Sequence, residues 1–136
     1  MDFMKSMAIA ASGLRAQAGR MRVISENIAN ADSTGQAPGE DPYRRRIPTF
    51  VSQLDRALDA QVVSLGPVQA DRSAFVRKYQ PGHPAADAQG YVSYPNVNSL
   101  VEMTDMREAQ RSYEANVNVI GATRRMIART LDILKS

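Results

Sequence analysis

Residues 99–136 read SLVEMTDMREAQRSYEANVNVIGATRRMIARTLDILKS, without a proline. Met103, Met106, Gln110, Tyr113, Val117, Ile120, Arg124, Ile127, Leu131 and Leu134 recur at alternating intervals of three and four. That spacing draws a narrow stripe along one side of an α-helix. Ser99 and Glu102 have the spacing of a capping box, in which the hydroxyl accepts from the third residue's N–H and the carboxylate reaches back. Glu102, Asp105, Glu108 and Glu114 come early and Arg124, Arg125, Arg129 and Lys135 come late, as the helix dipole favours. Gln110 and Arg124 interrupt the stripe and Gly121 lies within it. The pattern predicts one helix over 99–134, about 54 Å long at 1.5 Å per residue.

The opposite end of the chain carries the same signal. Phe3, Met7, Ala10, Leu14, Gln17, Met21, Ile24 and Ile28 alternate at four and three, broken only by Gln17. Ala8, Ala11, Gly13, Ala16, Ala18 and Gly19 occupy much of the remaining surface. Small side chains let a neighbouring backbone approach closely, while each glycine costs about 1 kcal/mol of helix propensity. Such a helix is expected to be stabilised mainly by what it packs against. Asn27, Asn30, Asp32, Ser33 and Gly35 compete for backbone hydrogen bonds and end it, which gives about 42 Å over residues 3–30.

All seven prolines lie between Pro38 and Pro95. Proline costs about 3 kcal/mol in a helix interior, so long helices are barred from the centre and permitted at both ends. The expected organisation is an N-terminal helical arm over 1–35, a proline-rich insert over 36–98 and a C-terminal helical arm over 99–136. The fold class is mainly α, with the two arms pairing in a coiled-coil-like manner or facing other copies. Within the insert, Ile47–Val51, Gln61–Leu65, Ala74–Tyr79 and Gly90–Tyr94 have β-like runs separated by turn signals. Thr49–Ala60 is also open to a short helix, with Phe50, Leu54 and Leu58 on one side.

A chain of 136 residues is one domain at most by size. The absence of cysteine excludes disulfides, thiolate zinc sites and thiol nucleophiles, and a single histidine excludes a multi-histidine metal centre. The net charge of +3 is spread thinly, each of the three segments carrying one surplus base. Nucleic acid demands cations gathered on one face, and the only dense cluster is Arg44-Arg45-Arg46, read as solvated surface charge. The apolar run Met7–Ala11 falls short of a secretion signal, and no stretch approaches the roughly 18 apolar residues of a membrane span. Neither a cleaved leader nor a transmembrane anchor is expected.

His83 precedes Pro84, which disfavours helix there, so its spacing from Asp87 does not place the two on one face; a turn role is expected. Glu40, Asp41, Asp55 and Asp59 lack a neighbouring nucleophile, and no glycine-rich phosphate loop occurs. The sequence reads as a non-enzyme with no cofactor and no metal.

Ser12-Gly13-Leu14 continuing through Met21, Ile24, Ser25, Asn27-Ile28-Ala29-Asn30 and Thr34 resembles the N-terminal signature of the bacterial flagellar axial proteins, the rod, hook and hook-associated components. Asn96-Val97-Asn98, Glu102-Met103, Asp105-Met106, Ala109-Gln110-Arg111 and Tyr113-Glu114-Ala115-Asn116 resemble their C-terminal signature. Pro42-Tyr43-Arg44-Arg45, Tyr79–Asp87 and Gly90-Tyr91-Val92 are similar to the proximal-rod branch. Thr34-Gly35 is not followed by the aromatic that many axial proteins carry, which argues against a distal-rod or hook subtype.

The resemblance implies a structural subunit of the flagellar basal-body rod, with paired terminal helices (the D0 domain) lining the inner tube and the central segment outside. It implies helical assembly that transmits motor torque, and export through the flagellar type III apparatus without a cleaved signal. Its partners would be other copies, the second proximal rod protein, the distal rod proteins and the rod-base adaptor. We assign Phe3, Met7, Ala10, Leu14, Met21, Ile24 and Ile28, with Met103, Met106, Tyr113, Val117, Ile120, Ile127, Leu131 and Leu134, to packing within and between subunits. Asn27, Asn30, Asn96, Asn98, Ser99 and Glu102 are assigned to the arm ends and junctions.

Overall fold

A computed structural model describes residues 2–136. Helix α1 spans Phe3–Ala29 and helix α2 spans Ser99–Lys135. Between them lie β1 (Arg46–Ile47), β2 (Phe50–Asp55), β3 (Ala60–Leu65), β4 (Gln69–Ala70), β5 (Val76–Tyr79) and β6 (Tyr91–Tyr94). The strands form three two-stranded antiparallel ribbons, β1–β4, β2–β3 and β5–β6. The chain divides into two compact units. The first comprises Met1–Met21, Pro48–Pro67 and Arg107–Ser136, the second Arg22–Ile47 and Val68–Met106. Among the described residues, no helix is long and apolar enough to cross a membrane.

In the first unit, β2 and β3 pair from Phe50 opposite Leu65 to Asp55 opposite Ala60. The Asp55 carboxylate accepts from the N–H groups of Ala57 (2.9 Å) and Leu58 (3.3 Å), and Asp59 takes a positive φ of 48°. An aspartate that folds its own backbone into a turn, followed by one that tolerates the left-handed region, favours a hairpin over a helix. The alternative of a helix over Thr49–Ala60 is therefore overturned. Pro48 also divides the expected Ile47–Val51 run between β1 and β2.

Strand β3 lies on α1. The Val63 N–H donates to the Ser12 hydroxyl (3.2 Å), which donates to the Ile9 carbonyl (2.7 Å). Leu65 closes on Gly19, where an added Cβ would come within 2.9 Å of its side chain. The α1–α2 contact is equally close: a Cβ on Gly13 would meet the Asn116 amide at 2.8 Å. Arg20 pairs with Glu108 at 3.6 Å.

The buried positions of this unit are Ala10, Ser12 and Ala16 on α1, Ala60 on β3, and Ala109 and Thr123 on α2. Each is small. The line on α2 that turns inward runs through Glu102, Ala109, Asn116 and Thr123, one heptad apart, with Met106, Tyr113, Ile120 and Ile127 half-buried beside it. The expected α2 stripe is thus rotated by about one position. Met103, Val117, Leu131 and Leu134, assigned to packing, are exposed in the single chain, Leu134 at 76%. On α1, Ala10 and Ile24 are buried, whereas Phe3, Met7, Leu14, Met21 and Ile28 are half-buried. Close helix approach selects small side chains for the contact and leaves the larger apolar ones outside it.

In the second unit, β5 and β6 pair from Val76 opposite Tyr94 to Tyr79 opposite Tyr91. Val92 is fully buried, and the Tyr79 and Tyr91 rings meet edge to face at 5.4 Å. The connection back into β6 depends on Gly90, which has φ +89°. A Cβ there would lie 2.9 Å from the Tyr79 ring and 3.1 Å from Pro81. Gly90→Ala is expected to cost about 1–3 kcal/mol, from left-handed strain and from crowding. A drop in the urea midpoint with unchanged m-value checks this.

Helix α2 begins differently from the capping-box expectation. Asn98, not Ser99, is the cap: its side-chain oxygen accepts from the N–H groups of Leu100 (3.1 Å) and Val101 (3.4 Å), as an N-cap does. Glu102 does not reach back to Ser99, because its carboxylate is turned into the protein, 1% exposed. At the end of α1, Asn30 donates its amide to the Glu26 carbonyl at 2.8 Å, and Ser33 bonds back to Asn30 at 2.9 Å.

Candidate functional site

Asn27, inside the last two turns of α1, is fully buried. An asparagine amide offers two acceptor sites and two donors, and here all four are used. Its oxygen accepts from the Tyr43 hydroxyl (2.7 Å) and the Arg46 N–H (3.0 Å). Its nitrogen donates to the Arg46 carbonyl (2.8 Å) and a Glu102 oxygen (3.4 Å). The residue thus acts like a piece of sheet backbone, holding the strand that begins at Arg46 against the helix.

Glu102 receives its second partner from the residue preceding that strand, the Arg45 Nε–H donating to its other oxygen. Arg45 also pairs with Asp71 at 3.3 Å and lies 3.9 Å from Asp105. The Arg45 backbone N–H donates to the Asn96 oxygen at 2.8 Å. Asn96 donates in turn to the Asp71 carbonyl (2.9 Å) and to the carbonyl (3.2 Å) and hydroxyl (3.0 Å) of Ser73. Arg44 donates to the carbonyls of Asp71 (2.8 Å) and Ser73 (3.0 Å), and its guanidinium stacks 4.1 Å above the Phe75 ring. Arg46 faces Glu26 at 3.4 Å. Of the triple arginine, read from sequence as solvated charge, Arg46 stays exposed, whereas Arg44 and Arg45 are instead held by internal partners. An arginine's fixed fork suits that role better than a lysine's point charge.

The electrostatics follow the geometry. Burial pushes the Tyr43 hydroxyl above its usual range, with Arg46 opposing and Glu26 and Glu102 reinforcing. For Arg45 burial alone would lower the pKa, but hydrogen bonds and charge from Glu102 and Asp71 outweigh it and the net direction is upward. The Ser73 backbone N–H, then its hydroxyl, then Arg45 hold the Asp71 carboxyl below the usual carboxylate range. A carboxylate with a depressed folded-state pKa stabilises the fold above its unfolded value, about 3.9, and that contribution vanishes as pH falls through the folded value. Unfolding midpoints are therefore expected to drop on acidification below about pH 4, and Asp71→Asn is expected to flatten that drop. Urea titrations between neutral and strongly acidic pH check it.

Of the residues assigned to arm ends, Asn27, Asn96 and Glu102 come together in this cluster. Asn30, Asn98 and Ser99 lie at helix ends outside it. From sequence, Tyr43, Asp71 and Asp105 carry no junction role and Arg45 reads as solvated charge, because their partners stand far off in the chain. Among the described residues, no buried side-chain polar atom lacks a partner and no acidic or histidine group could hold a metal. His83 accepts from the Ala85 N–H at 3.0 Å and lies 3.5 Å from the Thr34 hydroxyl, a turn element as expected. The cluster fastens chain segments to one another and presents no reactive group to a substrate.

Two family profiles match the arms: "Flagella basal body rod protein" over residues 7–35 and "Flagellar basal body rod FlgEFG protein C-terminal" over residues 88–133. The chain is 55% identical to the flagellar basal-body rod protein FlgC of Agrobacterium fabrum, covering 94% of this chain and 92% of that one. It is 38% identical to FlgC of Borreliella burgdorferi over 99% of both chains, and 39% identical to FlgC of Bacillus subtilis over 96% and 97%.

Proposed function

The chain belongs to the FlgC family of flagellar basal-body rod proteins and is a structural subunit of the rod, not an enzyme; from that premise we propose how its arms and insert serve the assembly. The observation that carries the reading is identity to FlgC of 55% along nearly the whole chain. The chain takes its place in the proximal rod, α1 and α2 pairing as an antiparallel coiled-coil-like unit and the insert lying outside. Support for the pairing comes from contacts that advance along α1 as they retreat along α2. Gly13 faces Asn116 and Arg20 pairs with Glu108 in the first unit, and Asn27 bonds Glu102 in the second.

The larger apolar residues of α2, left outside that contact, face other copies and neighbouring rod proteins. These neighbours are the second proximal rod protein, the distal rod proteins and the rod-base adaptor. The subunit reaches the periplasm through the flagellar type III apparatus, and many small helix contacts repeated about an axis carry torque. Removing the chain from its bacterium is expected to leave cells non-motile and without complete basal bodies. The restored, tagged chain is expected to co-purify with basal bodies. Motile cells with complete rods after its removal would overturn the proposal.

A further inference from the structure

We propose that Glu102 is a positioning residue that sets the register of the start of α2 against the end of α1, rather than a net source of stability. Within the second unit the two helix segments are Arg22–Ala29 and Ser99–Met106. Val23 and Ile24 are buried there, and apolar contact is non-directional. A slip by one heptad would leave its character unchanged. The same slip carries Glu102 roughly 10 Å along the axis at 1.5 Å per residue, away from both Asn27 and Arg45.

Those are the partners of its two oxygens. A carboxylate 1% exposed and stripped of both is heavily penalised. Asn27 cannot follow, since Tyr43 and the Arg46 backbone hold it. A single buried polar group that tolerates one alignment is the best-attested use of buried polarity in helix pairs. The dependence is one-sided: Arg45 keeps Asp71 and Asp105 without Glu102, whereas the Glu102 carboxylate has no other charge partner. The inference stands apart from the rod assignment.

The chain has no cysteine, so spin labels can be placed at Ser25→Cys and Thr104→Cys, both exposed, in the purified full-length protein. The parent is expected to give one narrow distance by pulsed electron resonance. Glu102→Met, of similar length and without charge, is expected to unfold at nearly the parent midpoint yet show a second population displaced by about one heptad. Glu102→Gln, which keeps the shape and one of the two acceptor oxygens, is expected to show a smaller displaced population than Glu102→Met. One narrow distance in the methionine variant overturns the proposal, as does a displaced population in the glutamine variant as large as that of the methionine variant. A methionine variant that does not fold, or a parent without a defined distance, overturns it as well.

Discussion

Arg45→Ala is expected to be the most damaging single truncation in the chain, lowering unfolding stability by about 3–5 kcal/mol. The loss does not come from the guanidinium's own burial, since that side chain keeps 21% of its exposure. It comes from what is left behind. Glu102, at 1% exposure, would retain only an amide partner at 3.4 Å. A carboxylate in that position is left buried without a counter-ion, which is costly. Asp71 loses a partner too, but keeps the Ser73 N–H at 2.9 Å. Thermal or urea unfolding followed by circular dichroism reads the effect. Arg45→Lys is expected to recover only part of it, because an ammonium cannot reach Glu102, Asp71 and Asp105 together with a fixed fork. A loss below about 1 kcal/mol for the alanine variant would place the pair among surface ion pairs of little worth and contradict the burial seen here.

The helices were legible because their cause is local. Proline exclusion and a three-and-four repeat act within a few residues, so the helix bounds fall within about one residue of those read from sequence. The face of each helix was less legible. Hydrophobic periodicity weights Met103, Val117 and Leu131, but α2 turns Glu102, Ala109, Asn116 and Thr123 inward. An apolar line competes with a line of small and polar residues on one helix, and the sequence does not say which faces its own chain.

The junction was legible in part. Asn27 and Asn96 stand out as buried-capable amides near helix ends, whereas Arg45 and Asp71 acquire meaning only when 26 residues of insert fold back on themselves. Glu102 shows the conflict most plainly. Its spacing from Ser99 suits a cap, and tertiary pairing with Arg45 overrides that local option while Asn98 supplies the cap instead.

The outward line of α2 leads to the other large effect. Replacing Leu131 and Leu134 with aspartate is expected to abolish rod incorporation and motility while leaving the isolated chain's unfolding midpoint nearly unchanged. The two leucines are exposed at 51% and 76%, so removing them from the single chain uncovers little. Surface substitutions of this kind usually stay within about 0.5 kcal/mol. In a filament they would lie against neighbouring subunits. Burying a leucine contributes about 1.5–3 kcal/mol, so losing two weakens each contact by a factor of roughly 10² to 10⁴. A buried, unpaired carboxylate adds to that cost. Glu114→Gln, on an exposed polar position of the same helix, serves as the control and is expected to leave assembly intact. Motility assays and fractionation of basal bodies separate the outcomes. Normal rods carrying both aspartates would mean that this line faces water in the assembled particle, and the assignment of the outer α2 surface to subunit contact would fail.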